Sequence, residues 1–172
     1  FTVTVSDDAG ASTDADFAVT VSNLPDTRYL EQFFTATSIS ADIVYAQGSD
    51  DYVLNVITPQ GDTETNRPLA LLASGGAFAF TDRSQVEPVA EIFARAGYVA
   101  AIMDYRTLGR QAESPLEFRL AAQDGHHDMV GALRFLRANA AQYGIDPDTV
   151  IVGGTSAGAF MALSLGTLDP ND

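Results

Sequence analysis

Apolar and polar positions follow one rhythm at the start of the chain and another beyond it. Phe1-Thr-Val-Thr-Val5 alternates, as does Asp16-Phe-Ala-Val-Thr-Val21, and the stretch between them is rich in Asp, Ser and Gly. Period-two runs about such a loop predict a β-hairpin. A lone hairpin is marginal in water, so this one is expected to complete a sheet that lies upstream. Residues 39–46 and 52–58 flank Gln47-Gly-Ser-Asp-Asp51 and predict a second antiparallel pair. Two short continuous apolar runs, 68–73 and 98–103, read as strands buried on both faces. Between them Val86, Val89, Ala90 and Phe93 fall on one helical face, with Gly97 as the stop. Met129, Leu133, Leu136 and Ala140 mark a second helix, stopped by Gly144. Asp146-Pro-Asp148 then turns the chain into Thr149-Val-Ile-Val152, and residues 157–165 are small and apolar, suiting a helix packed close on a sheet. Helices joining buried strands predict an α/β fold, a mostly parallel sheet flanked by helices with right-handed crossovers.

Composition narrows the functions open to such a fold. The 172 residues carry 23 acidic against 9 basic side chains, a formal net charge of −14, and every basic residue is Arg. That field repels nucleic acid and anionic lipid. No apolar run approaches the roughly 20 residues of a membrane span, so membrane insertion is not expected. With no Cys, neither disulfides nor thiolate metal sites are available. The acidic pairs Asp7-Asp8 and Asp50-Asp51 read as solvated turns rather than calcium ligands, and no metal or organic cofactor is expected. The chain opens at Phe1 inside strand-like text, with no charged or apolar leader before it, so its natural start is expected further upstream.

The residues that carry chemistry cluster after the buried strands. The last strand runs into Gly153-Gly-Thr-Ser-Ala-Gly158, which contains a Gly-x-Ser-x-Gly at 154–158. Where a strand turns abruptly into a helix, the residues two before and two after the turning serine crowd together, hence Gly154 and Gly158. The turn would lift the Ser156 hydroxyl to the start of a helix, where unpaired N–H groups favour an anion. The Ala157 N–H could then face the oxyanion of a tetrahedral intermediate. Ser156 as a plain helix N-cap remains the alternative. The strand ending at Ala73 opens into Ser74-Gly-Gly-Ala-Phe78, whose glycines allow backbone N–H groups to turn towards a ligand. Both turns fall at C-terminal strand ends, where ligands of open α/β sheets bind.

Four pieces in order carry a family resemblance: Leu54-Asn-Val-Ile-Thr-Pro59, Ser74-Gly-Gly-Ala-Phe78, Ala96-Gly-Tyr-Val-Ala through Met103-Asp-Tyr-Arg106, and Asp128 through Ala132-Leu-Arg-Phe-Leu-Arg-Ala-Asn139 to the elbow. From about Val53 to Leu168 the chain resembles the N-terminal half of an α/β-hydrolase of the esterase/lipase, carboxylesterase-like branch. The resemblance implies Ser156 as nucleophile, with the N–H groups of Ala157, Gly76 and Ala77 as oxyanion donors. Ser74 stands where the family's His-Gly-Gly-Gly-Phe loop has His, and Ala77 where it has a third Gly; losing the His removes a loop-bracing side chain. Residues 1–24 faintly resemble the last strands of bacterial Ig-like or cadherin-like repeats. The expected organisation is therefore a β-sandwich-type hairpin over 1–24 and an incomplete α/β-hydrolase domain over 25–172, from a secreted or surface-attached protein.

A serine nucleophile needs a base and a carboxylate to orient it, in this family following the serine in chain order. No His follows Ser156, and Asp169 and Asp172 come soon after the elbow helix. His126 and His127 precede it and are expected as a surface pair near a helix start; adjacent positions also point apart, unlike metal ligands. Asp104-Tyr-Arg106 is expected to be structural or to shape the pocket. The expected activity is hydrolysis of small-molecule carboxylic esters through an acyl-enzyme on Ser156, with acid and base beyond Asp172 and this stretch alone nearly inactive. The alternatives are a non-catalytic binding or adhesion module on the same scaffold, or a peptidase, thioesterase or amidase.

Overall fold

The computed structural model describes residues 28–48 and 50–167, together with a short ladder between β1 (Val5–Ser6) and β2 (Ser12–Thr13). The ladder is antiparallel, with Val5 opposite Thr13 and Ser6 opposite Ser12. Its second strand, Ser12–Thr13, falls inside the stretch read as turn. The second alternating run, residues 16–21, and the expected boundary near Asn23-Leu-Pro25 lie outside the described residues.

Five strands form the central sheet: β3 (Thr37–Gln47), β4 (Asp51–Pro59), β5 (Arg67–Ala73), β6 (Val99–Met103) and β7 (Ile145–Gly154), in the order β3-β4-β6-β5-β7. β3 pairs with β4 and β4 with β6 antiparallel, whereas β5 pairs parallel with both β6 and β7. The sheet is thus mixed, with β4 alone running against its neighbours. Side-chain alternation divides the core in two. Leu69, Leu71, Ala73, Val99, Ala101 and Met103 point to one face and pack against α2 (Pro115–Ala138) and α4 (Ala157–Thr167). Leu72, Ala100, Ile102 and Ile57 point to the other and pack against α1 (Glu87–Arg95) through Val86, Ala90 and Ala94. Every residue of β6 is buried, which explains why that strand reads as one apolar run rather than an alternation.

The crossovers from β5 to β6 and from β6 to β7 run in opposite directions, so their helices cover opposite faces. A crevice opens where they part, at the C-terminal ends of β5 and β7.

Several expectations shift by local chemistry. Val89, expected on the buried stripe of α1, is 44% exposed, since burial follows Val86, Ala90 and Ala94 instead. α2 starts at Pro115, far earlier than the apolar pattern indicated, so His126 and His127 lie in its middle rather than near its start. Its first turns carry Leu116, Phe118 and Leu120, all substantially exposed, which gives no core stripe to read. What marks the start is a cap: Ser114 Oγ accepts the Glu117 N–H at 3.1 Å, and Pro115 follows it. A break at Asn139 leads into the short α3 (Ala140–Tyr143), ended by Gly144 at φ +66°. The Asp146–Asp148 turn is a bulge within β7, because Arg67 faces Ile145 while Leu69 already faces Val150. Asp146 holds it by accepting from the Asp148 N–H at 3.0 Å and the Thr149 hydroxyl at 2.7 Å.

The segment before β3 clamps onto the end of α1 through Tyr29 N–H to the Ala96 carbonyl (2.6 Å) and Phe34 N–H to that of Arg95 (2.8 Å). Asp62 anchors it to β5, pairing with both Arg28 and Arg67, the latter at 2.7 Å. Burial pushes the Asp62 carboxyl up. The hydrogen bonds from Arg67 and the Glu64 N–H, with the charges of Arg67 and Arg28, outweigh that and hold it below the usual carboxylate range. Its stabilising contribution is therefore full above that range and is lost as pH falls through the lowered value. Asp62→Asn, which leaves two largely buried guanidiniums uncompensated, should cost about 3 kcal/mol in urea unfolding at pH 7. The gap between variant and parent should shrink on acidification below about pH 3.8.

Candidate active site

β7 passes directly into α4 through Thr155 and Ser156, and the turn is as tight as a chain permits. Ser156 adopts φ +49°, a left-handed conformation that side chains avoid. A Cβ on Gly154 would lie 2.3 Å from the Ala73 carbonyl oxygen and 2.9 Å from Gly158 Cα; one on Gly158 would lie 2.1 Å from the same oxygen. Gly154 and Gly158 are thus required by close backbone approach to the end of β5 as well as to each other. The Thr155 N–H donates to the Ala73 carbonyl at 3.2 Å, and the Gly158 N–H to the Thr155 carbonyl at 2.9 Å. Ser156 is exposed and sits at the head of α4, while the adjoining Ala157 is buried.

The loop after β5 is the facing half of the site. Gly76 adopts φ +140°, and Ala77 and Phe78 follow at +50° and +59°. Two successive left-handed side-chain-bearing residues cost about 1–2 kcal/mol each. Phe78 offsets this by burying its ring, which stands edge-on to Tyr105, Phe118 and Phe160 at 6.1, 5.4 and 6.3 Å between centroids. The Phe78 carbonyl also accepts the Leu108 N–H at 2.8 Å, and the Gly76 carbonyl that of Ala79 at 2.8 Å. The loop is tied to the elbow by the Gly75 N–H, which donates to Thr155 Oγ1 at 3.0 Å. Gly75 permits this contact, since a Cβ there would lie 3.1 Å from Ser156 Cβ.

These two halves enclose one cavity of about 260 Å³, lined by Ala77, Phe78, Phe118, Ser156, Ala157 and Phe160. Among the described residues nothing accepts a hydrogen bond from the N–H groups of Gly76, Ala77 or Ala157. An exposed hydroxyl therefore shares a small, largely apolar chamber with unpaired amides, an arrangement that can stabilise negative charge developing on a bound carbonyl oxygen. Ser74, at the position of the family's imidazole, is fully buried, and its hydroxyl accepts the Asp82 N–H at 3.0 Å. The loop is braced despite the substitution.

Asp104, Tyr105 and Arg106 act structurally. Arg106 forms an ion pair with Asp128 at 2.9 Å, and its backbone N–H donates to the same carboxylate at 2.7 Å. The Tyr105 hydroxyl donates to the Ser74 carbonyl at 3.0 Å, and burial pushes that phenol up to about 12. His126 does not approach Ser156 through any hydrogen bond. Its Nδ1 lies 2.8 Å from Ser164 Oγ, whose own proton goes to the Met161 carbonyl, so Nδ1 is the donor. Burial, and then the neighbouring His127, hold its imidazole below the usual range. It lines a second cavity of about 500 Å³ that shares Phe118 and Phe160 with the first. No cluster of potential metal ligands and no helix long and apolar enough to cross a membrane occurs among the described residues.

Sequence reasoning missed Phe118, Phe160 and Thr155. The Ser114–Glu117 cap was the available signal for Phe118, since it starts α2 early enough to bring that ring over Phe78.

A left-handed serine between strand and helix, on a sheet ordered this way, defines the α/β-hydrolase fold. Within that class the chain belongs to the BD-FAE family, whose model matches residues 54–172. It is 30% identical over 153 residues to mouse bile salt-activated lipase, covering 84% of this chain and 25% of that protein. Human cocaine esterase is 30% identical over 144 residues, 81% of this chain and 24% of its own. The solved Est2 esterase of Thermogutta terrifontis superposes with a TM-score of 0.63 at 26% identity, covering 77% of this chain and 47% of its own. The chain thus spans about a quarter of these curated relatives and about half of the solved esterase.

Two alanine substitutions separate the elbow from ordinary helix. Gly158→Ala drives its Cβ into the Ala73 carbonyl and should destabilise the fold by at least about 3 kcal/mol or prevent folding. Gly131→Ala, in α2 with nothing within 4 Å of the added carbon, should raise stability by about 0.5–1 kcal/mol. Thermal unfolding followed by circular dichroism compares them.

Proposed function

We propose that this chain carries the nucleophile half of a serine hydrolase acting on small-molecule carboxylic esters. The Ser156 oxygen adds to the ester carbonyl, and the resulting oxyanion is held by the N–H groups of Ala157, Gly76 and Ala77. Collapse of that intermediate expels the alcohol and leaves an acyl group on Ser156, which water then removes. The observation supporting this most directly is the placement of an exposed left-handed Ser156 in one chamber with Ala77 and Ala157. The esterase and lipase relatives support the ester as substrate class.

The base and its carboxylate are assigned to residues outside 1–172. In support, no imidazole among the described residues bonds to Ser156, and His126 is engaged by Ser164. Without a base the Ser156 hydroxyl stays protonated at neutral pH, so the 172-residue stretch by itself should react slowly. A secreted or surface-attached setting is part of the same reading, supported by the repeat-like text of residues 1–24.

A fluorophosphonate probe tests the assignment on the whole protein that contains this stretch. Covalent labelling is expected on the parent and lost in Ser156→Ala, with ester hydrolysis falling by at least about 10³-fold. Labelling that persists in Ser156→Ala overturns the assignment.

A further inference from the structure

The geometry points to Ser74, Thr81 and Asp104 as a hydrogen-bonded positioning relay that holds the loop bearing the Gly76 and Ala77 amides against the Ser156 elbow. The inference rests on the reading of Ser156 as nucleophile and extends it to residues that do not line the chamber.

The direction of the relay follows from what each group can do. A backbone N–H only donates, so Ser74 Oγ accepts from Asp82 at 3.0 Å. A carboxylate accepts, so Thr81 Oγ1 gives its proton to Asp104 Oδ1 at 3.1 Å. With that proton committed, the 3.1 Å contact between Ser74 Oγ and Thr81 Oγ1 has the Ser74 hydroxyl as donor. Each hydroxyl donates once and accepts once, and the chain ends on a charge, which strengthens it. The far end is fixed independently. The second Asp104 oxygen pairs with Arg83 Nε at 3.1 Å, and the Asp104 carbonyl accepts the Tyr45 hydroxyl from β3 at 2.7 Å. The Tyr105 hydroxyl holds the Ser74 carbonyl from the same strand end.

Residues 74 and 81–82 are thereby fastened to the segment following β6. The intervening turn has little freedom but to keep the left-handed Gly76, Ala77 and Phe78 conformations. Strained backbone of this kind persists only where its surroundings over-determine it. Gly75, bonded to Thr155, fixes the same loop to the elbow from the other side. The relay therefore sets where two of the three proposed oxyanion donors point. Removing its central hydroxyl should loosen them without touching the substrate chamber, since Thr81 is not among the residues lining it.

The test uses Thr81→Val, which keeps shape and loses the hydroxyl, beside Thr81→Ser, which keeps the hydroxyl, in the whole protein. Thr81→Val should lower kcat for a simple acyl ester by about 10–100-fold, leave KM within about twofold, and retain cooperative unfolding. Thr81→Ser should restore kcat to within about threefold of the parent. Amide hydrogen exchange at Gly75 and Ala79, whose N–H groups are held by Thr155 Oγ1 and the Gly76 carbonyl, should be about tenfold faster in Thr81→Val than in the parent. Parent-like kcat in Thr81→Val, or an equal loss in Thr81→Ser, overturns the relay while leaving the Ser156 assignment intact. If the parent itself neither labels nor hydrolyses, the Ser156 assignment fails. The exchange comparison then decides whether the relay holds the loop, and unchanged exchange overturns it.

Discussion

The carbonyl of Ala73 is the contact on which the site depends. It ends β5, accepts the Thr155 N–H, and lies where any side chain at 154 or 158 would have to go. Because β7 must approach β5 this closely while reversing into α4, the chain can turn only with glycine on both sides and with a left-handed residue between them. Ser156 is that residue. Its conformational cost is met by the packing of α4 on the sheet through the buried Ala157, Gly158 and Met161.

The facing loop follows a different logic. Nothing in its backbone alone favours φ near +50° at Ala77 and Phe78. The conformation is imposed by the buried Phe78 ring, by hydroxyls at 74, 81 and 155, and by the segment after β6 that receives them. Hydroxyls thus brace this loop. Short side chains suffice because Ser74 is fully buried, where a satisfied hydrogen bond is hard to exchange for water.

The charge balance reaches into the fold as well as the surface. Six of the nine arginines pair with carboxylates among the described residues, at Asp62, Asp42 and Asp104, Glu91, Asp124 and Asp128, and Glu113 and Glu117. Few cations remain to offset the excess of Asp and Glu, so the field that disfavours polyanions is left standing. The Arg106–Asp128 pair also places α2 against the end of β6, which brings Phe118 over the chamber.

The sequence by itself determined the buried strands, the parallel core of the sheet and the elbow. Each rests on local rules: apolar runs that only a two-sided strand can bury, and glycines at spacings that only a sharp turn needs. Gly76 and Ala77 were pointed to by the family resemblance, and Ala77 lines the chamber with Ser156. Tertiary structure alone decided that β4 runs against β6, that α2 starts at Pro115, and that the two histidines stand mid-helix with His126 bonded to Ser164. The same holds for the bracing of Ser74 through Thr81 and Asp104 and of Gly75 through Thr155. These depend on contacts between residues 7 to 80 positions apart, for which composition and periodicity carry no signal. A hydroxyl in a turn looks the same in the sequence whether it meets water or a partner; only the packed fold brings the partner to it.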